Sequence, residues 1–318
     1  MTRMRYCALV LALALAGGAA TAALAEYPEK PITFIVPFAP GGGADVGVRI
    51  MEPFMEKCLG GELVVVDKPG AGGAIGMFDI ANAAPDGYTL GSIITPNLPV
   101  NTIATENPRF TMDSFDYLAN LVGTRVAISA GKGGRFTTIQ QLIETAKEKP
   151  VQAAITQPGA DDHLVLLRLL QETGAKFDFI PMVESPLARN AVMGGHVEIL
   201  GLSVTESANF KDQLQTLAIA GSERFAGLPD VPTLKELGWD ITAGNTFLMG
   251  APAGLPADIK AKLDQCFQTV AQDPEYRKQI TERNFILTPM NAAETEAFAR
   301  GEYEALKKLW DQDPWIKD

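Results

Sequence analysis

A short apolar run, Ile32-Thr33-Phe34-Ile35-Val36, leads into Pro37-Phe38-Ala39-Pro40-Gly41-Gly42-Gly43-Ala44-Asp45 and then into a segment of helical periodicity. A strand that turns through glycines into a helix brings unpaired N–H groups to the positive end of a helix dipole. The glycines let a ligand approach the backbone without a Cβ in the way. Such a junction suits a negatively charged or strongly polar ligand. No Gly-Lys-Ser/Thr follows, and Gly41-Gly42-Gly43 lacks the G-x-G-x-x-G spacing, so a nucleotide is not the expected ligand.

The alternation begun there continues. Ile50, Phe54 and Cys58 share a helical face, with Asp45 expected as N-cap and Pro53 expected to kink the run. Leu63 to Val66 reads as a strand, Ile75 to Ala83 as a helix and Tyr88 to Thr95 as a third strand, a βαβαβ pattern that implies a parallel sheet. A second α/β unit runs from about Arg125 to Ala243, with strands near Val126, Ala153, Phe177, His196 and Gln215. The tail offers one strand, Phe247 to Ala251, and then helices. These have to return to the first unit for burial. The expected organisation is a signal peptide over 1–25, a discontinuous first domain over 26–123 plus 244–318, and an inserted domain over 124–243. Two crossings between domains make a hinge.

The first 25 residues carry Arg3 and Arg5, an apolar stretch from Cys7 to Ala16, and Ala23-Leu24-Ala25 before Glu26. This has the form of a secretory signal with an A-x-A cleavage site, and an exported mature protein is expected. A net charge of −11 argues against nucleic acid or an anionic membrane as partner, since both are bound by clustered Lys and Arg. Beyond the signal, Cys58 and Cys266 remain. In an oxidising compartment they have the option of pairing; two separately buried thiols are the expectation set ahead of it.

Open α/β sheets bind ligands beyond the carboxyl ends of their strands, so the loops that follow strands supply the candidate site. They offer Phe38, Ala39, Gly41, Gly42 and Asp45 after the first strand, and Thr95 and Asn97 after the third. The inserted domain offers Thr156, Gln157 and His163, then Glu184 and Ser185, then Ser203 and Thr205. Asn245 and Phe247 lie at the return crossing. The segment Gly70 to Gly76 is read as a structural turn and Pro85-Asp86-Gly87 as a turn into a strand, both outside the site. Asp161 and Asp162 beside His163 are read as helix capping with a partly buried histidine, and no metal or cofactor is expected. Trp239, Trp310 and Trp315 are read as structural or exposed.

Four ordered motifs carry a family likeness: Pro37 to Asp45, Lys68-Pro69-Gly70-Ala71-Gly72-Gly73-Ala74-Ile75-Gly76, Ala84-Pro85-Asp86-Gly87-Tyr88-Thr89-Leu90, and Leu228-Pro229-Asp230-Val231-Pro232-Thr233. The chain resembles the Bug-type periplasmic proteins, the solute receptors of tripartite tricarboxylate transporters. The resemblance implies an α/β, two-lobed type II periplasmic binding fold with a hinge and an interlobe ligand cleft. It implies capture of a small organic acid for large and small membrane subunits of such a transporter, with the ligand carboxylate held by main-chain amides and water near Phe38 to Asp45. A monomer without catalytic activity is expected. A receptor that signals to a membrane sensor is the alternative, and an exported enzyme a more distant one, because no G-x-S-x-G, H-E-x-x-H or paired cysteine nucleophile is present.

Two segments depart from the family pattern. Thr156-Gln157-Pro158-Gly159-Ala160-Asp161-Asp162-His163-Leu164 replaces a Gly-Ser/Thr-rich turn, and Pro181-Met182-Val183-Glu184-Ser185 places an acid where a basic site is common. A carboxylate there repels a dianion and pairs with an ammonium, so an amino-acid-like or monoanionic ligand is favoured.

Overall fold

The computed structural model describes residues 27–182, 184–312 and 314. The signal segment, Cys7, Val183 and Trp315 therefore lie outside the described residues.

The first sheet grows from the βαβαβ run. Strand β1 (Ile32–Val36) pairs in parallel with β2 (Leu63–Asp67) and β3 (Thr89–Thr95), joined through α1 (Gly43–Leu59) and α2 (Ala74–Ala81). Next to β3 lies β10 (Thr246–Pro252), antiparallel to it and to β4 (Phe115–Gly123), with β11 (Ile286–Met290) on the edge. The order is β11-β4-β10-β3-β1-β2, a mixed sheet whose parallel part is the one read from the pattern. Strand alternation sorts its side chains into two cores. Phe34 and Ile94 face α1, α8 (Ala257–Gln272) and α9 (Pro274–Glu282), whereas Ile35 and Ile93 face α2, α3 (Asn97–Ile103) and α10 (Ala292–Gln312).

The second sheet contains β5 (Val126–Gly131), β6 (Val151–Ile155), β7 (Phe177–Pro181), β8 (Ile199–Ser203) and β9 (Leu214–Ala220) in the order β7-β6-β8-β5-β9. Helices α4 (Ile139–Glu148) and α5 (Asp161–Thr173) cover one face; α6 (Ser185–Met193) and α7 (Val204–Asn209) pack on the other. Leu142 and Leu166 against Ile128, and Ala188 and Val192 against Leu200, form these two cores.

The chain leaves the first sheet at Gly123 and returns at Thr246, and the two connecting segments run side by side. The Thr124 N–H donates to Asn245 O at 2.8 Å, and the Val126 N–H to Ala243 O at 3.0 Å. Gly244 is required there: a Cβ would come within 1.9 Å of Thr124 O. Paired crossings of this kind let two lobes rotate together as a hinge.

Several expectations are corrected. Cys58 and Cys266 form a disulfide that ties α1 to α8, with Cα atoms 5.6 Å apart, instead of two separate thiols. Asp45 is not the N-cap of α1; Gly42 holds that position, and Asp45 lies in the first turn. The tail holds a second strand, β11, and the pattern passed over β4 entirely, because that strand is buried along nearly its whole length and shows little alternation. Trp239 packs against the core of the second lobe.

Candidate functional site

Between the lobes lies a cavity of about 90 Å³. A single water needs only ~10–15 Å³ on this measure, so the cavity admits a solute of a few water-sized groups.

The floor on the first lobe is the turn between β1 and α1. Gly41 sits at φ +76°, and its N–H donates to Asp45 Oδ2 at 2.8 Å. Asp45 also accepts from Arg49, which reaches on to Asp67, so its charge is taken up behind the turn. Phe38, Ala39, Gly42, Gly43 and Ala44 line the cavity instead. Gly43 and Ala44 belong to the first helical turn, where N–H groups have no intrahelical acceptor. Gly72, Ile94 and Asn97 complete this side with Phe247. Asn97 Nδ2 donates to Gly72 O at 3.2 Å and shapes that turn from beneath.

The second lobe contributes the ends of β6 and β8 and the starts of α5 and α6. Thr156, Gln157, Asp161, Asp162, Glu184, Ser185, Pro186, Gly201, Leu202, Ser203 and Glu206 line the cavity from this side, and Asn245 from the crossing. Of the residues expected from sequence, Gly41, Asp45, Thr95, His163 and Thr205 are not among the lining ones. His163 supports the wall from behind: its Nδ1 accepts the Gly159 N–H at 2.9 Å and its ring stands edge-on to Phe179. Burial pushes its pKa down to about 4, so it is neutral at physiological pH. Thr205 donates to Asn284 O at 2.8 Å, a contact between lobes.

Four carboxylates line the cavity, and among the described residues no lysine or arginine does. Their states differ. Glu206 is neutralised by Arg189 at 2.6 Å, and its other oxygen accepts from Ser185 at 2.7 Å and Ser203 at 3.3 Å. Asp162 is saturated by the Thr156 N–H and hydroxyl and by the His163 N–H. Asp161, 8% exposed, lies beside the Asn245 side chain, which helps to keep its carboxylate charged. Glu184 Oε2 accepts the Ala39 N–H at 3.1 Å across the cleft. Burial raises the pKa of all four; the neighbouring Asp161 adds to the rise at Asp162, while hydrogen bonds to the carboxylates offset part of it.

Sequence reasoning passed over Asp161, Asp162 and Glu206 as cavity groups. The two aspartates had a ready explanation as helix caps, yet the N-cap of α5 is Ala160 and neither aspartate fills that position. Glu206 lies within α7, past the end of β8 at Ser203. Gly72, assigned to a structural turn, lines the cavity as well. The signal that would have found it is its φ of +59°, which no sequence pattern displays.

The sequence profile described as the tripartite tricarboxylate transporter family receptor matches residues 48–312. A protein of Cupriavidus necator, "UPF0065 protein in gbd 5'region", is 31% identical over 97% of this chain and 94% of its own. The solved structure of the periplasmic binding protein BugD is 26% identical and superposes with a TM-score of 0.82, covering 92% of this chain and all of BugD. MatC from Rhodopseudomonas palustris, solved with bound malate, shares the fold at 22% identity and a TM-score of 0.81, covering 89% of this chain and 99% of MatC.

Proposed function

The chain belongs to the tripartite tricarboxylate transporter receptor family, and on that premise we propose that it is exported to the periplasm and encloses a small organic carboxylate between its lobes for delivery to the membrane subunits of such a transporter. The observation that carries this reading is closure across the cleft. Ala39 meets Glu184, Gln157 covers Gly72, and Asn245 meets Asp161, so residues of both lobes and the crossing surround one small cavity. A solute seated there contacts both halves and stabilises the closed arrangement.

The ligand's carboxylate meets the first turn of α1, where Gly43 and Ala44 open onto the cavity. Backbone N–H groups and bridging water suffice to hold it without a basic side chain. Phe38 and Phe247 supply the apolar walls and Asn97, Thr156 and Gln157 the polar edge. A monomer carries out this task, since the cavity is complete within one chain.

Calorimetric titration with mono-, di- and tricarboxylates and amino acids tests the reading, with recovery and analysis of the bound solute. One equivalent bound and recovered unchanged supports a receptor; chemical conversion of the solute refutes it. Small-angle scattering of the same samples should show a more compact particle with ligand than without.

A further inference from the structure

The two sides of the cavity differ in charge, and the difference specifies a ligand. Three helices of eight or more residues begin at the cavity: α1, α5 and α6. At α5 the dipole end meets Asp161 and Asp162, and at α6 it meets Glu184 and the Ser185-bound Glu206. At α1 the one acid of the first turn, Asp45, is turned back onto the Gly41 N–H and Arg49. An anion is therefore favoured at α1 and opposed everywhere else around the cavity.

Two buried polar atoms show what the remainder of the ligand provides. The Asn245 side chain lines the cavity beside Asp161, and its Oδ1 is left buried with no donor among the described residues. Beside it, Asp161 has no cationic partner among the described residues. An orphan acceptor next to a buried carboxylate calls for a donor that carries positive charge. Gln157 Nε2 is the complementary case, a buried donor without an acceptor, suited to a carboxylate oxygen.

We infer that the ligand is a zwitterion, an amino acid or short amino-alkanoate, whose carboxylate sits at the start of α1 and whose ammonium is seated between Asp161 and Asn245 Oδ1. This rests on the receptor reading and narrows it. The ammonium supplies the missing donor and compensates the acidic side of the cavity. A dicarboxylate brings a second negative charge to that same side.

Titration of the full chain with matched pairs tests the seat: L-alanine against propionate, L-glutamate against glutarate, and 4-aminobutyrate against butyrate. At least one amine should bind more than about tenfold tighter than its des-amino counterpart, the scale of a paired buried charge. Asp161→Asn, checked for native circular dichroism, should weaken that amine at least about tenfold and leave its counterpart within about twofold. A des-amino acid binding as tightly as its amine, or equal weakening of both by Asp161→Asn, overturns the ammonium seat while leaving the receptor intact. Binding by no amine of the three pairs overturns the seat alone; binding by none of the mono-, di- and tricarboxylates and amino acids of the receptor titration, or conversion of the bound acid, overturns the receptor reading and the seat with it.

Discussion

Gln157 lies over Gly72 so closely that a Cβ added at position 72 would stand 1.5 Å from Gln157 Oε1. The two residues belong to opposite lobes, and their approach bridges the cleft. Gly72→Ala is therefore expected to hold the lobes apart. Because φ is +59° there, an alanine is also strained by ~1–2 kcal/mol. Ligand affinity should fall at least about tenfold, and scattering with saturating ligand should retain the larger radius of the open form. An unchanged affinity would show that Gln157 swings aside freely.

Glu184 links the lobes through its bond to the Ala39 N–H. In Glu184→Gln the side chain can still accept that bond, whereas Glu184→Ala cannot. Loss of a charge-assisted bond is worth about 1.5–3 kcal/mol, so the alanine variant should weaken every ligand, amine or not. The glutamine variant should keep that link and mainly strengthen the binding of dianions, which the Glu184 charge repels. Calorimetry on the two variants side by side separates the roles.

Arg189 and Glu206 are both nearly buried and joined at 2.6 Å, with the guanidinium stacked 4.1 Å from the Phe210 ring centre. Arg189→Met leaves a buried carboxylate without its partner and should lower stability by about 3–5 kcal/mol in chemical denaturation. The double variant Arg189→Met, Glu206→Gln should recover much of that loss, because the stranded charge is gone.

Reduction of the Cys58–Cys266 disulfide removes a link that spans 208 residues, including the whole second sheet. Cys58→Ala with Cys266→Ala should lose ~2–4 kcal/mol, most of it through a less restrained unfolded chain. Denaturation of the oxidised chain with and without reductant gives the same difference. No loss would mean that the packing of α1 on α8 already restrains the ends.

Two kinds of buried group bend the pH–stability curve in opposite directions. The raised carboxylates make the native state bind more protons than the unfolded chain above the ordinary carboxylate range, so stability should rise as pH falls from about 8 toward 6.5. His163, pushed down to about 4, does the reverse: the unfolded chain takes up a proton first. Below about pH 6.5 its contribution is lost, up to about 3 kcal/mol by pH 4. Thermal unfolding of the unliganded protein should therefore show a maximum in the weakly acidic range. Asp161→Asn should flatten the alkaline limb, and a curve rising monotonically to pH 8 would contradict the burial of these carboxylates.

How much was legible in advance depends on the range of the interaction. The run Leu63 to Val66, the helix over Asp161 to Thr173 and the helix over Ala257 to Gln272 follow from local periodicity, and the structure has β2, α5 and α8 there. Phe38, Gly42, Asn97, Gln157, Glu184 and Asn245 follow from the rule that ligands sit at strand ends, and all six line the cavity. The strand β4 was invisible because burial on both faces removes the alternation by which a strand is recognised. Asp161 and Asp162 were misassigned because a carboxylate near a helix start has a local explanation, and nothing local says that the cleft adds a second one.

Local order along the chain set the alternation of strands and helices, the glycine turn that feeds α1 and the family to which the motifs belong, since each depends on residues close together. Tertiary structure alone decided which way Asp45 and Asp161 face, that Cys58 meets Cys266, and that Gly72 and Gln157 close one cavity. Those facts depend on contacts between residues tens to hundreds of positions apart, and the charge a carboxylate presents to a ligand is set by the partners that folding brings to it.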